Sequence, residues 1–160
     1  MGYALFPLVV LMFFGGLIAQ SQGLALSVVG AGSVGFAETR ANVTAERVIA
    51  FADACMETAV TNPGLTGDAI AARLPIGAVA PAGAACKIDA VAGGGRVVYA
   101  SAPLVPGAVS RIRELSEGSD TWFAISNATG VATSITSGDP HPIPTSLPSG
   151  NLLFQAQIRP

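Results

Sequence analysis

Val28-Val-Gly-Ala-Gly-Ser-Val-Gly35 carries the glycine spacing of a dinucleotide-binding turn, yet the first charged side chain of the whole chain is Glu38. Two folds compete for these residues. In one, Leu24–Val29 is a strand, Gly30, Gly32 and Gly35 form the phosphate turn, Phe36–Glu46 is a helix, Arg47–Ala52 a second strand, and Asp53 takes the ribose hydroxyls. In the other, the glycines lie on one long helix. The residues that follow decide between them. Val48, Phe51, Ala52, Cys55 and Ala59 recur at i, i+3, i+4, i+7 and i+11, with Arg47, Asp53 and Glu57 off that face, which is the period of an amphipathic helix. A Rossmann half also needs a third strand, whereas Ala54-Cys-Met-Glu-Thr-Ala-Val60 continues the helix until Asn62-Pro-Gly64 ends it. The helical reading is preferred, and the dinucleotide-binding enzyme fragment is the alternative.

Composition points the same way. Of 160 residues, 11% are charged and 51% hydrophobic, and the mean hydropathy is +0.57. A soluble globular domain is about a quarter charged, so part of this chain is expected to sit outside water. The net charge of −2 and the eight scattered Lys and Arg make no basic stripe for a phosphate backbone, so nucleic acid is not an expected partner.

Ala4 to Ile18 is apolar apart from Gly15 and Gly16, and no charge interrupts the chain before Glu38. About 20 apolar residues span a bilayer, and a charge at its centre costs about 3 kcal/mol. A retained membrane anchor is therefore expected. The rival is a secretory signal cut near Ser21, releasing a binding domain, but Met1, Gly2 and Tyr3 offer no basic n-region. Gly15, Ala19, Gly23, Ser27, Ala31 and Gly35 recur at every fourth position, a small-residue ridge that lets membrane helices approach closely. They are the expected helix-packing interface. Gly35-Phe-Ala-Glu38 is similar to a type IV prepilin cleavage site, but in pilins the apolar stretch follows that site and here it precedes it, so processing at Gly35 is not expected.

The chain beyond Asn62 reads as a small α+β domain, which gives an organisation of 1–62 for the anchor and long helix and 63–160 for the domain. Thr66–Leu74 is expected as a short capped helix stopped by Pro75. Cys86–Val91 and Arg96–Ser101 flank Gly93-Gly-Gly95 as a hairpin, Ala108–Leu115 is a helix ending near Gly118, and Trp122–Ser126 with Val131–Thr136 is a second hairpin. Asp139–Pro148 is expected to be extended and proline-locked, and Leu152–Ile158 to be a final edge strand. Cys55 and Cys86 either form one disulfide or stay as two buried thiols. His141, the sole histidine, lies between two prolines with no second ligand or nucleophile marked by motif, so neither catalysis nor metal binding is expected.

Val97-Val-Tyr-Ala-Ser101, Pro106-Gly107 before a helix ending in Leu115, Phe123-Ala-Ile125 with Gly130, and Leu147-Pro-Ser-Gly-Asn-Leu-Leu153 follow an apolar segment that runs into a long helix. In this layout the chain resembles the PilM proteins of conjugative, type IVb thin-pilus systems. The resemblance implies a small inner-membrane accessory protein of pilus assembly, with a periplasmic C-terminal domain, other pilus-assembly proteins or pilins as partners, and no cofactor. It carries no catalytic residue over to this sequence.

Overall fold

The computed structural model describes residues 32–127 and 130–159. Among them the protein is a small α+β fold, with two helices and one six-stranded antiparallel sheet. The expected membrane segment and the site near Ser21 lie outside the described residues. Among the described residues no helix is long and apolar enough to cross a membrane. The chain divides into two compact units between Arg40 and Ala41.

Of the first unit, residues 32–40 are described. They are the start of helix α1 (Ser33–Thr61), with Thr39 Oγ1 bonded back to the Gly35 carbonyl at 2.8 Å. The rest of α1 belongs to the second unit. There the apolar face read from the period is buried: Val48, Phe51, Ala52, Cys55 and Ala59 are each at most 6% exposed, while Arg47, Asp53 and Glu57 are exposed. Buried Ala41 and Ala45 lengthen the stripe. The helix ends where the Asn62 side chain donates to the Thr58 carbonyl and Arg96 Nη1 donates to the Asn62 carbonyl, at 2.8 and 2.9 Å. Side chains thus satisfy carbonyls that a helix end would otherwise orphan.

The sheet contains β1 (Ala85–Ala90), β2 (Arg96–Pro103), β3 (Trp122–Asn127), β4 (Val131–Ser134), β5 (Pro140–Pro142) and β6 (Asn151–Ile158), in the order β1-β2-β6-β3-β4-β5. Alternation sends Ile88, Val98, Ala100, Ala102 and Leu152 to the face under α1, where Ile112 of helix α2 (Ala108–Leu115) also packs. Tyr99, Phe123, Ala132 and Leu153 point the other way. Ile143 and Leu147, from the chain between β5 and β6, cover them. Both faces are thus apolar and covered.

Two expectations are corrected. Thr66–Leu74 is not a helix: Gly67 and Ile88 exchange backbone bonds at 2.9 Å as an isolated antiparallel bridge, and the Ile70 amide donates to the Cys86 carbonyl at 2.8 Å. The Arg73 amide finds Thr58 Oγ1 at 3.0 Å. Pairing to β1 and α1 offers these amides partners that the short Ala-rich run would otherwise have had to supply itself. The last strand is not an edge. β6 lies between β2 and β3, with Arg96 opposite Ile158 on one side and Trp122 opposite Phe154 on the other. Successive buried side chains at Leu152 and Leu153 require cover on both faces, the mark of a central strand. The proline-rich tail, expected to be extended, is extended at Pro140-His141-Pro142, which pairs with β4 and forms one edge of the sheet. Two prolines without N–H groups suit a terminal strand, because they leave little for a further strand to bond.

Candidate functional site

The dinucleotide alternative can be measured against α1. Its second strand, Arg47–Ala52, is mid-helix, and Asp53 is exposed on the same helix. A residue on a helix cannot serve as the acid at the end of a second strand, so the strand–turn–helix–strand order that this reading needs is missing after Ser33. Gly32 is exposed, and an added Cβ there would meet no described residue within 4 Å. Gly30 lies outside the described residues.

Of the expected helix-packing ridge, Gly15, Ala19, Gly23, Ser27 and Ala31 lie outside the described residues, and Gly35 sits in the first turns of α1. Beside it Val34 is 78% and Phe36 70% exposed. These turns present large apolar side chains without cover from the described residues of their own unit.

Cys55 and Cys86 form a disulfide that ties α1 to β1, with Cα atoms 5.8 Å apart. Both cysteines are at most 1% exposed and lie within the main core. The bond therefore staples the last third of α1 to an edge strand of the sheet. Next to it on β1, Lys87 reaches across to Asp68 of the preceding loop and to Asp89 at 3.2 Å. The Asp68 hydrogen bond raises the Lys87 pKa above its usual 10.5; burial opposes this shift and Asp89 adds to it. Burial pushes the Tyr99 phenol above its usual 10.0.

His141 is half-buried, its ring stacked on Phe123 with centroids 4.8 Å apart. It shares a cleft of about 240 Å³ with Asp120, Ser134 and Asp139. Ser134 Oγ is occupied as an acceptor, taking the amides of Thr136 and Ser137 at 3.2 Å each, which makes it a turn cap and not a nucleophile held by a base. Among the described residues no three of His, Cys, Asp and Glu converge as a metal-binding group.

A second cleft, of about 390 Å³, opens between α1 and the loop that joins it to β1, and the side chains that line it are apolar, Phe51, Ile70 and Leu74 being the largest. No motif marks it. Its one signal in the sequence is that Leu74–Cys86 contains no charged side chain. What the described residues offer is thus surface for contact: exposed apolar turns at the start of α1, and an apolar cleft and loop beside the disulfide. Compared with protein-family profiles, curated proteins and solved structures, the chain matches none of them.

Proposed function

We propose that this chain is a membrane-anchored, non-enzymatic component of type IVb or conjugative pilus assembly, minor-pilin-like in layout, held in the bacterial inner membrane by its N-terminal helix with the α+β unit in the periplasm. The observation that carries the proposal is α1. A charge-free segment runs into one uninterrupted helix whose exposed first turns carry Val34 and Phe36, and whose later turns form the core of an antiparallel sheet. Its role is positional: the helix packs with other membrane helices and the folded unit meets pilins or other assembly proteins. The Cys55–Cys86 disulfide supports an oxidising compartment such as the periplasm.

The test is carbonate extraction of membranes from cells expressing the full-length chain, with intact-mass analysis of what resists. An uncleaved, disulfide-bonded protein in the pellet is the expected result. A soluble full-length protein overturns the reading, and a soluble product beginning at Gln22 replaces it with the secreted binding domain.

A further inference from the structure

Asp139-Pro140-His141 joins, in three successive residues, a carboxylate, the one Asp–Pro peptide bond of the chain and its sole histidine. Every other aspartate precedes Ala or Thr. The order matters chemically. An aspartate Oδ that attacks its own carbonyl carbon closes a five-membered ring, so the reacting groups are already held together. What resists such an attack in an ordinary peptide is departure of the amide nitrogen. The proline nitrogen carries no hydrogen in the chain and leaves as a secondary amine, more basic than a primary one and readier to accept the proton that departure needs.

The fold holds this bond in a fixed setting. In the turn between β4 and β5 the Ser134 amide donates to the Asp139 carbonyl at 2.9 Å and the Gly138 amide to the Ser134 carbonyl at 3.0 Å, with Gly138 at φ 79°. The Asp139 amide donates to Ser137 Oγ at 3.3 Å. Both backbone groups of Asp139 are thus anchored, and the N–H on its carbonyl oxygen is placed to stabilise the negative charge that attack puts there. Its side chain is exposed and enters none of the ion pairs formed among the described residues. The His141 ring, stacked on Phe123, lines the cleft of about 240 Å³ together with Asp139, Pro140 and Asp120. At roughly 30 Å³ per water the cleft has room for several, enough to carry a proton from the imidazole to the proline nitrogen.

We propose that the chain cuts itself once, between Asp139 and Pro140. The Asp139 carboxylate forms a C–O bond to the Asp139 carbonyl carbon. The C–N bond to Pro140 then breaks as its nitrogen takes a proton from the His141 imidazolium, leaving a cyclic anhydride at residue 139 and a free proline amine. Water opens the anhydride to two carboxyl groups, and the two protons this releases return to His141 and to the proline amine. One water is consumed and no other reactant is needed. The piece that begins at Pro140 contains β5 and β6. Because β6 lies between β2 and β3 and is paired with both, that piece stays in the sheet after the cut, although the Cys55–Cys86 bond does not tether it. The product is a two-chain protein with a new amino terminus at the sheet edge. A single cut in its own backbone is compatible with a role that is otherwise positional.

The experiment uses full-length protein purified in detergent, with hydroxylamine present from lysis onward. It is held at about pH 6, inside the range where histidine changes charge, and followed by intact mass. Two pieces are expected, one ending at Asp139 and one beginning at Pro140. The first should carry a hydroxamate in place of a carboxyl group, which marks the anhydride. The pieces should separate in denaturant and co-elute in native size exclusion. Asp139→Ala is expected to abolish the cut, and Pro140→Ala and His141→Gln each to slow it about 100-fold. Added imidazole should partly restore His141→Gln and not Asp139→Ala, a recovery that lost packing would not give. Trp122 fluorescence reports that each variant is folded. An uncut wild-type chain overturns the proposal, as do a cut that persists in Asp139→Ala, a cut without hydroxamate, or equal rates with and without His141. A cut that is as fast in concentrated urea overturns it too, because the reaction would then owe nothing to the fold. Carbonate extraction reports on the membrane anchor independently of all these outcomes.

Discussion

Removing the disulfide tests how the second unit is held together. In the variant with both Cys55→Ala and Cys86→Ala, the unfolded chain regains the freedom that a cross-link across a separation of 31 residues had taken from it. The chain-entropy relation for that loop gives about 12 cal/mol/K, or about 3.7 kcal/mol at 25 °C. Both sulfurs are buried in the main core, so their loss adds about 1 kcal/mol of packing. The total approaches the whole stability of a marginal domain, for which about 5–15 kcal/mol is typical. The assay is urea unfolding of the full-length protein in detergent, followed by the fluorescence of Trp122, which is 4% exposed in the same core. With a slope of about 2 kcal/mol/M the midpoint is expected to fall by about 2 M. Native-state fluorescence should not change, because the constraint acts on the unfolded ensemble. Midpoints that agree within about 0.5 M would refute the reasoning, since a loop of this length cannot close without cost unless the unfolded chain already holds α1 against β1.

Other outcomes follow from the same contacts. Ile112→Ala in α2 removes a fully buried side chain and is expected to cost about 2–5 kcal/mol by thermal or urea unfolding. Gly107 precedes α2 at φ 83°, and a Cβ there would lie 3.1 Å from that of Ala41, whereas Gly93 at φ 94° faces open space. Gly107→Ala is therefore expected to destabilise by about 1–3 kcal/mol and to exceed Gly93→Ala, which bears backbone strain alone; equal losses would refute the contact. At high pH two groups act together. Lys87 has a folded pKa raised above 10.5, so its contribution is fully present below that value and is lost as pH rises through the folded pKa. Tyr99, raised above 10.0, keeps its proton longer folded than unfolded, so stability again falls above pH 10.0. Urea midpoints should decline from that pH upward, and Lys87→Met and Tyr99→Phe should each flatten the decline.

Local elements were legible because their signal is carried by neighbours. The i, i+3, i+4 stripe from Val48 to Ala59 is the buried face of α1, Ala108–Leu115 is a helix with those bounds, and the runs on either side of Gly93-Gly-Gly95 are a hairpin, with β1 and β2 each differing from the sequence reading by a residue or two. Thr66–Leu74 failed as a helix for the opposite reason. Its capping residues and alanines are local cues, while the bridge to Ile88 and the bond to Thr58 come from residues distant in the chain. The double-leucine run at 152–153 held the clue to a central strand, but which strands flank it depends on pairings across some fifty positions on one side and thirty on the other.

The sequence by itself determined the charge-free N-terminal segment, the period of α1, the turns, and the poverty of catalytic groups, all of which are properties of composition or of spacing within a few residues. Tertiary structure alone decided that Cys55 meets Cys86, that the carboxyl-terminal strand fills the centre of the sheet, and that the His141 ring lies on Phe123. Each of these is a contact between segments far apart in the chain. Its energy depends on which surfaces the rest of the fold leaves to be covered, and no local pattern of residues encodes that.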